Sequence, residues 1–167
     1  MSTIQCNRFV RITDWLVVTG ASSGIGRSMT EVVLQNGDIA VATLRKPEVL
    51  DDLSSKYPAD RLLVLRVDVK NREDIINAFT KTKEAFGRLD VVFNNAATFV
   101  LSEVEGTPEH LARGMFDTNF FGATWVSIEA IKFFRDVNKP GVGGTLLNVS
   151  AMVGFHAMAG IGFFSAT

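Results

Sequence analysis

Residues 14 to 26 carry the most specific chemistry in the chain. The short apolar run Trp15-Leu16-Val17-Val18 follows Asp14 and leads through Thr19 into a turn built on Gly20, Gly24 and Gly26, with Ala21, Ser22, Ser23 and Ile25 between them. Met29, Val32 and Val33 then recur at helical spacing. Strand, glycine turn and helix together present a helix N-terminus and free backbone N–H groups to a phosphate. Glycine suits the turn because it tolerates positive φ and places no Cβ in a ligand's path. The spacing here is GxxxGxG, a near relative of the GxGxxG dinucleotide fingerprint rather than a match to it. A tight strand-to-helix turn that holds no ligand remains the alternative reading.

The elements that must position such a turn alternate along the chain. A first helix ends near Asn36-Gly37, a plausible C-cap, and a second strand runs from Ile39 to Thr43. Pro47 opens a short helical piece reaching Tyr57, and residues 61–67 form a third strand ending at Asp68. Asn71 with Asp74 resembles an N-cap and its acidic partner, for a helix that carries Ile75, Ile76, Phe79 and Phe86 and stops at Gly87. Residues 89–93 form a fourth strand that runs into Asn94-Asn95-Ala96-Ala97. Thr107 and Pro108 read as N-cap and first residue of a long helix to Asn138, broken by Lys139-Pro140-Gly141 before a fifth strand at 145–149. Such alternation predicts right-handed βαβ units: an α/β, three-layer, doubly wound parallel sheet of the Rossmann type, with an N-terminal arm at 1–13 and one domain at 14–167.

Ligands of such sheets bind at the carboxyl ends of the strands, where strand order reverses. The polar residues there are Thr19 to Ser23, Arg45 and Lys46, Asp68, Asn94 and Asn95, and Ser150. Arg45 and Lys46 bear on the cofactor. A carboxylate at the end of strand two would accept from a ribose 2′-hydroxyl and repel a 2′-phosphate. Two cations favour NADP over NAD, unless they are a solvated loop. Asp38 lies at the other end of that strand.

Composition narrows the class further. One cysteine, Cys6, excludes an internal disulfide and any multi-cysteine metal site. A net charge of −1 and no basic stripe argue against a nucleic-acid partner. No apolar run approaches a membrane span, and Arg8 and Arg11 interrupt anything like a signal peptide. A soluble, cytoplasmic protein is expected.

Taken together, these motifs resemble the short-chain dehydrogenases/reductases over residues 14 to 167. Residues 19–26 match the family's TGxxxGxG, Asp68-Val69 matches its adenine-contacting Asp, and Asn94-Asn95-Ala96-Ala97 is similar to its NNAG, with Ala97 in place of glycine. Asn119 matches the active-site Asn of the long helix, and Asn148-Val149-Ser150 fits the fifth-strand segment. The resemblance implies strand order 3-2-1-4-5 and a nicotinamide dinucleotide held by Gly20, Ser22, Ser23, Gly24, Ile25, Gly26, Asp68, Val69, Asn95, Ala96 and Ala97, to which the strand-two reading adds Arg45 and Lys46. It also implies a small carbonyl or alcohol ligand, and homo-oligomers paired through the helix at 108–138, whose large apolar residues run from Leu111 to Phe134. An ordinary buried helix with a wide apolar stripe is the other explanation for those residues.

The departures fall on the chemistry. The family uses a Tyr as general acid/base, a Lys that lowers its pKa and a Ser that hydrogen-bonds the substrate oxygen. Counting from Gly154 places Ala151 at the Ser position, and residues 162–167 place Phe164 at the Tyr position; the Lys would follow Thr167. All three groups are therefore expected to be absent, with Asn119 the one catalytic residue kept. Ser150 points to the opposite face of the strand end. His110 reads as a surface residue and His156 as an inert loop residue. The expectation is an NADP(H)-binding oxidoreductase by descent that is impaired or inactive. The alternative is an interaction or regulatory protein on an oligomeric scaffold, and a fragment or a deliberately disabled form would look the same in sequence.

Overall fold

The computed structural model describes residues 14–156 and 158–167, so the expected arm with Cys6, Arg8 and Arg11 lies outside the described residues. Aliphatic and β-branched runs form β1 (Trp15–Thr19), β2 (Ile39–Leu44), β3 (Leu62–Arg66), β4 (Val91–Asn94) and β5 (Thr145–Asn148). All are parallel, in the order 3-2-1-4-5 that the resemblance implies. Between and after them come α1 (Gly24–Gln35), α2 (Asp51–Lys56), α3 (Arg72–Phe86), α4 (Glu109–Met115), α5 (Ala123–Asp136) and the single turn α6 (Gly162–Ser165).

Strand side chains alternate between faces, and both faces are covered. Val17, Val41, Leu65 and Val92 pack with Ile75 and Phe79 of α3 and Val126, Ala130 and Phe133 of α5. Val18, Ala40, Ala42 and Phe93 pack with Val33 and Leu34 of α1 and with Leu50 and Leu53. Two-sided burial is why these strands read as continuous apolar runs rather than alternating ones. β5 is the exception: Leu147 is 46% exposed, and Val149 just after the strand is 44% exposed.

Several expected boundaries move, each for a local reason. The piece at 47–57 divides into a 3-10 turn, Pro47–Leu50, and α2. The fourth strand starts at Val91 rather than Leu89, because the Leu89 backbone pairs with a side chain instead of a strand: it donates to Asn138 Oδ1 at 3.1 Å and accepts from Asn138 Nδ2 at 2.6 Å. Thr107 does not cap the long helix; its hydroxyl donates to the Glu103 carbonyl at 2.7 Å, and Pro108 takes the cap position. That helix is not uniform either. A π-helical stretch, Phe116–Gly122, separates α4 from α5. Gly122 sits hard against the turn after β3, where an added Cβ would stand 2.8 Å from Val69 Cγ2.

The caps of α3 are as expected at both ends. Asn71 Oδ1 accepts from the Glu73 N–H at 3.0 Å, and Gly87 closes the helix at φ +66°. Asp74 does more than support the cap, since its carboxylate accepts from Asn71 Nδ2 and from the Asp68 N–H, both at 3.0 Å. The end of β3 is thereby tied to the start of α3.

Candidate functional site

A cleft of about 640 Å³ lies along the carboxyl ends of β1 to β4. Beneath its lining lies Thr19, the buried last residue of β1. The Thr19 hydroxyl donates to Asn94 Oδ1 at 3.3 Å and accepts from the N–H groups of Asn95 and Ala96, both at 2.9 Å. Asn95 Nδ2 returns a bond to the Thr19 carbonyl at 3.0 Å. One buried threonine thus stitches the segment after β4 to the glycine turn after β1.

The glycines of that turn answer to different constraints. Gly20 has φ +68°, and an added Cβ would lie 2.9 Å from Ala96 Cα. Gly26 is held by packing alone, because a Cβ there would stand 2.3 Å from the Gly20 carbonyl oxygen and 2.6 Å from Asn95 Nδ2. Gly24 has open space around it but a φ of +53°, so backbone conformation selects glycine there. Ser23 makes no side-chain capping bond to α1, and Ser22, Ser23 and Ile25 line the cleft. The first-turn N–H groups and the positive end of the helix dipole are therefore available to an anion.

Asp68 and Val69 line the opposite wall. Asp68 Oδ1 accepts from the Lys70 N–H at 3.0 Å, which leaves its second oxygen without a partner among the described residues. Arg45 lines the cleft as well, and together with Lys46 it faces an adjoining concavity of about 440 Å³. Arg27, on the outer face of α1, bonds Glu31 and Asp52 and thereby ties α1 to α2. Its pKa is raised, first by the Glu31 hydrogen bond and then by that of Asp52.

Of the residues expected to hold a ligand, Gly20, Ser22, Ser23, Ile25, Arg45, Asp68, Val69, Asn95, Ala96 and Ala97 line the cleft, and Lys46 lines its annex. Gly24 and Gly26 shape the turn from behind. His110 is exposed, in keeping with its reading as a surface residue, and it also lines the cleft with Leu111, Gly114 and Thr118. The α4 wall has no motif at that spacing to announce it. Arg66, the last residue of β3, was missed altogether, and it lines the annex beside Arg45 and Lys46.

Asn119 stands in the π-helical stretch, behind the cleft wall. Its Oδ1 accepts from the Thr98 N–H at 2.8 Å, while its Nδ2 donates to the Thr98 carbonyl at 2.9 Å and to Thr167 Oγ1 at 3.0 Å. It therefore braces the loop after β4 against the end of α6. Phe164 of α6 packs edge-on against Phe99, with ring centroids 5.0 Å apart, and Ala151 precedes a 3-10 turn at Met152–Gly154. Neither lines the cleft, and His156 is exposed in the loop after β5. Among the described residues no cluster of His, Cys, Asp and Glu is placed to hold a metal, and no helix is long and apolar enough to cross a membrane.

The profile described as short chain dehydrogenase matches residues 14–167. Oxidoreductase calM from Penicillium decumbens is 37% identical over 154 residues, 90% of this chain and 50% of that protein. Farnesol dehydrogenase from Aedes aegypti is 32% identical over 142 residues, 83% of this chain and 57% of that protein. The crystal structure of a short-chain dehydrogenase from Streptomyces avermitilis superposes with a TM-score of 0.85 at 32% identity, covering 93% of this chain and 55% of that one. The chain spans about half the length of the curated relatives it matches.

Proposed function

The chain belongs to the short chain dehydrogenase family, and on that premise we propose that it binds NADP(H) in the 640 Å³ cleft and is impaired in the family's carbonyl–alcohol reaction. The observation that carries the binding reading is the uncapped first turn of α1, opening onto the cleft beside a glycine turn braced by Thr19. The donor set suits a dinucleotide along its length. First-turn N–H groups suit a pyrophosphate, the free oxygen of Asp68 suits an adenine amine, and Arg45 and Lys46 suit a 2′-phosphate. Bound there, the nicotinamide supplies or accepts a hydride.

The impairment rests on Ala151 and Phe164, which we assign to the positions of the family's Ser and Tyr. Phe164 has no proton to place on a carbonyl oxygen as hydride arrives, and Ala151 has no donor to orient it. General acid/base help is worth about two to four orders of magnitude in rate. The retained Asn119 is engaged in bracing the loop at Thr98. Gly20, Gly24 and Gly26 keep the binding half of the site intact.

Titration of the purified protein with NADPH, with NADH as control, tests this reading. Saturable binding that is weaker for NADH is the expected result, together with negligible turnover of a carbonyl panel. The double variant A151S/F164Y, assayed in parallel, shows whether the two hydroxyls alone restore any rate. Rapid NADPH oxidation by the parent would overturn the impairment. Failure to bind either nucleotide would overturn the binding reading.

A second reading has an observation of its own. Phe120, Phe121 and Ile131, on the helical segments at 109–136, are 49%, 44% and 53% exposed. Several large apolar groups exposed together mark interaction surfaces, so we extend the proposal to a homo-oligomer paired through this segment. If no nucleotide binds, the same surface makes an interaction protein the leading reading.

A further inference from the structure

The annex beside the main cleft contains a third cation that no motif announced. Arg66 is the last residue of β3, and its register partner on β2 is Leu44, the residue immediately before Arg45 and Lys46. The Val67 N–H donates to the Leu44 carbonyl at 2.9 Å, so the two strand ends are pinned side by side. Three basic side chains from two strands therefore converge on one concavity of about 440 Å³, closed by Ser22, Val49 and Asp68. Ser22, Arg45 and Asp68 also line the main cleft, which makes the annex continuous with it.

Among the described residues every arginine outside the annex has a partner, whereas several lysines elsewhere, such as Lys70 and Lys81, are as unpaired as the annex cations. Arg27, Arg88, Arg113, Lys132 and Arg135 each form an ion pair with a neighbouring carboxylate. The side chains of Arg45, Lys46 and Arg66 have no hydrogen-bond or ion-pair partner among the described residues. The one carboxylate at the annex, Asp68, already accepts from the Lys70 N–H with Oδ1. Such a group presents a net positive, forked donor set, the chemistry that recognises a phosphate monoester dianion.

We propose that Arg66 is a specificity-determining residue for a phosphate monoester on the ligand of the main cleft, acting from β3 alongside Arg45 and Lys46. The inference rests on the dinucleotide reading above and deepens it: the monoester is the 2′-phosphate, and its recognition is shared between two strands. Because Arg66 is exposed at a strand end, neutralising it leaves the core untouched.

The test is calorimetric binding of NADPH, NADH and inorganic phosphate to the parent, R66Q and R66K. A charge-assisted contact to a phosphate is worth about a tenfold change in affinity. R66Q should therefore weaken NADPH about tenfold while leaving NADH within twofold, and R66K should recover part of the loss. Inorganic phosphate should compete with NADPH in the parent more strongly than in R66Q. A parent that prefers NADPH alongside an R66Q variant with the same preference overturns the role of Arg66 and leaves the dinucleotide reading standing. A parent that binds both nucleotides equally overturns the monoester site as a whole. A folded parent that binds neither overturns the dinucleotide reading, and this inference with it. Equal losses for NADPH and NADH in R66Q would mark a general electrostatic or structural effect, which also overturns the assignment.

Discussion

Thr19 and Asn138 each perform a job that their type alone does not reveal. Thr19 is 3% exposed and serves three partners in the segment after β4. Removing its hydroxyl leaves two partly buried N–H groups without that acceptor, which costs roughly 1–3 kcal/mol. Thr19→Val should lose that stability in urea denaturation and weaken nucleotide binding at the same time. Thr30→Val is the contrast: its hydroxyl bonds only the Gly26 carbonyl one turn back, at 2.9 Å, and no cleft segment depends on it. The glycines separate in the same way. Gly26→Ala drives a Cβ into backbone and should cost about 1–3 kcal/mol by overpacking. Gly24→Ala meets no atom and should cost only the left-handed backbone penalty, about 1–2 kcal/mol. Denaturant midpoints of the two variants check the order.

Between elements, the decisive contacts are caps and strand ends. Asn138 follows α5 and holds both backbone groups of Leu89 as well as the Gly143 carbonyl, so it fixes where β4 begins and how the chain enters β5. Asn138→Ala should cost at least about 1 kcal/mol for each buried group left unpaired, read again by denaturation. Asn71→Ala, by contrast, removes an exposed cap worth about 1 kcal/mol. It should also loosen the Asp68 turn, because Asp74 bridges Asn71 to the Asp68 N–H. Much of this scale is legible in sequence. Asn36-Gly37, Asn71 and Gly87 are cap residues whose chemistry is local, and the structure places all of them at helix ends. Thr107 is not at a cap, because a hydroxyl beside a proline had a nearer acceptor in Glu103. The π-helical stretch is equally hidden, since its cause is the distant Val69 against Gly122.

For the molecule as a whole, the balance is between a well-buried half that carries the cleft and an exposed apolar half. Every strand but β5 carries several buried residues, while Leu147, Val149, Met152 and Phe155 lie exposed on or just after it. The helical segments at 109–136 add Phe120, Phe121 and Ile131. If those helices pair two copies, F120S/I131S should lower the mass seen by light scattering at micromolar concentration without loss of the folded signal, since both residues are already exposed. A parent that is monomeric throughout would refute the pairing. The sequence by itself determined the alternation of strands and helices, the glycine turn, the cleft-lining polar residues at strand ends and the family, because continuous apolar runs, caps and short motifs are local in the chain; the strand order followed only from the family resemblance those motifs carry. Only the tertiary structure decided that Arg66 joins Arg45 and Lys46, that His110 reaches the cleft and that Asn119 braces Thr98. Each of these depends on which distant segment arrives beside the residue, and parallel register and helix packing set that.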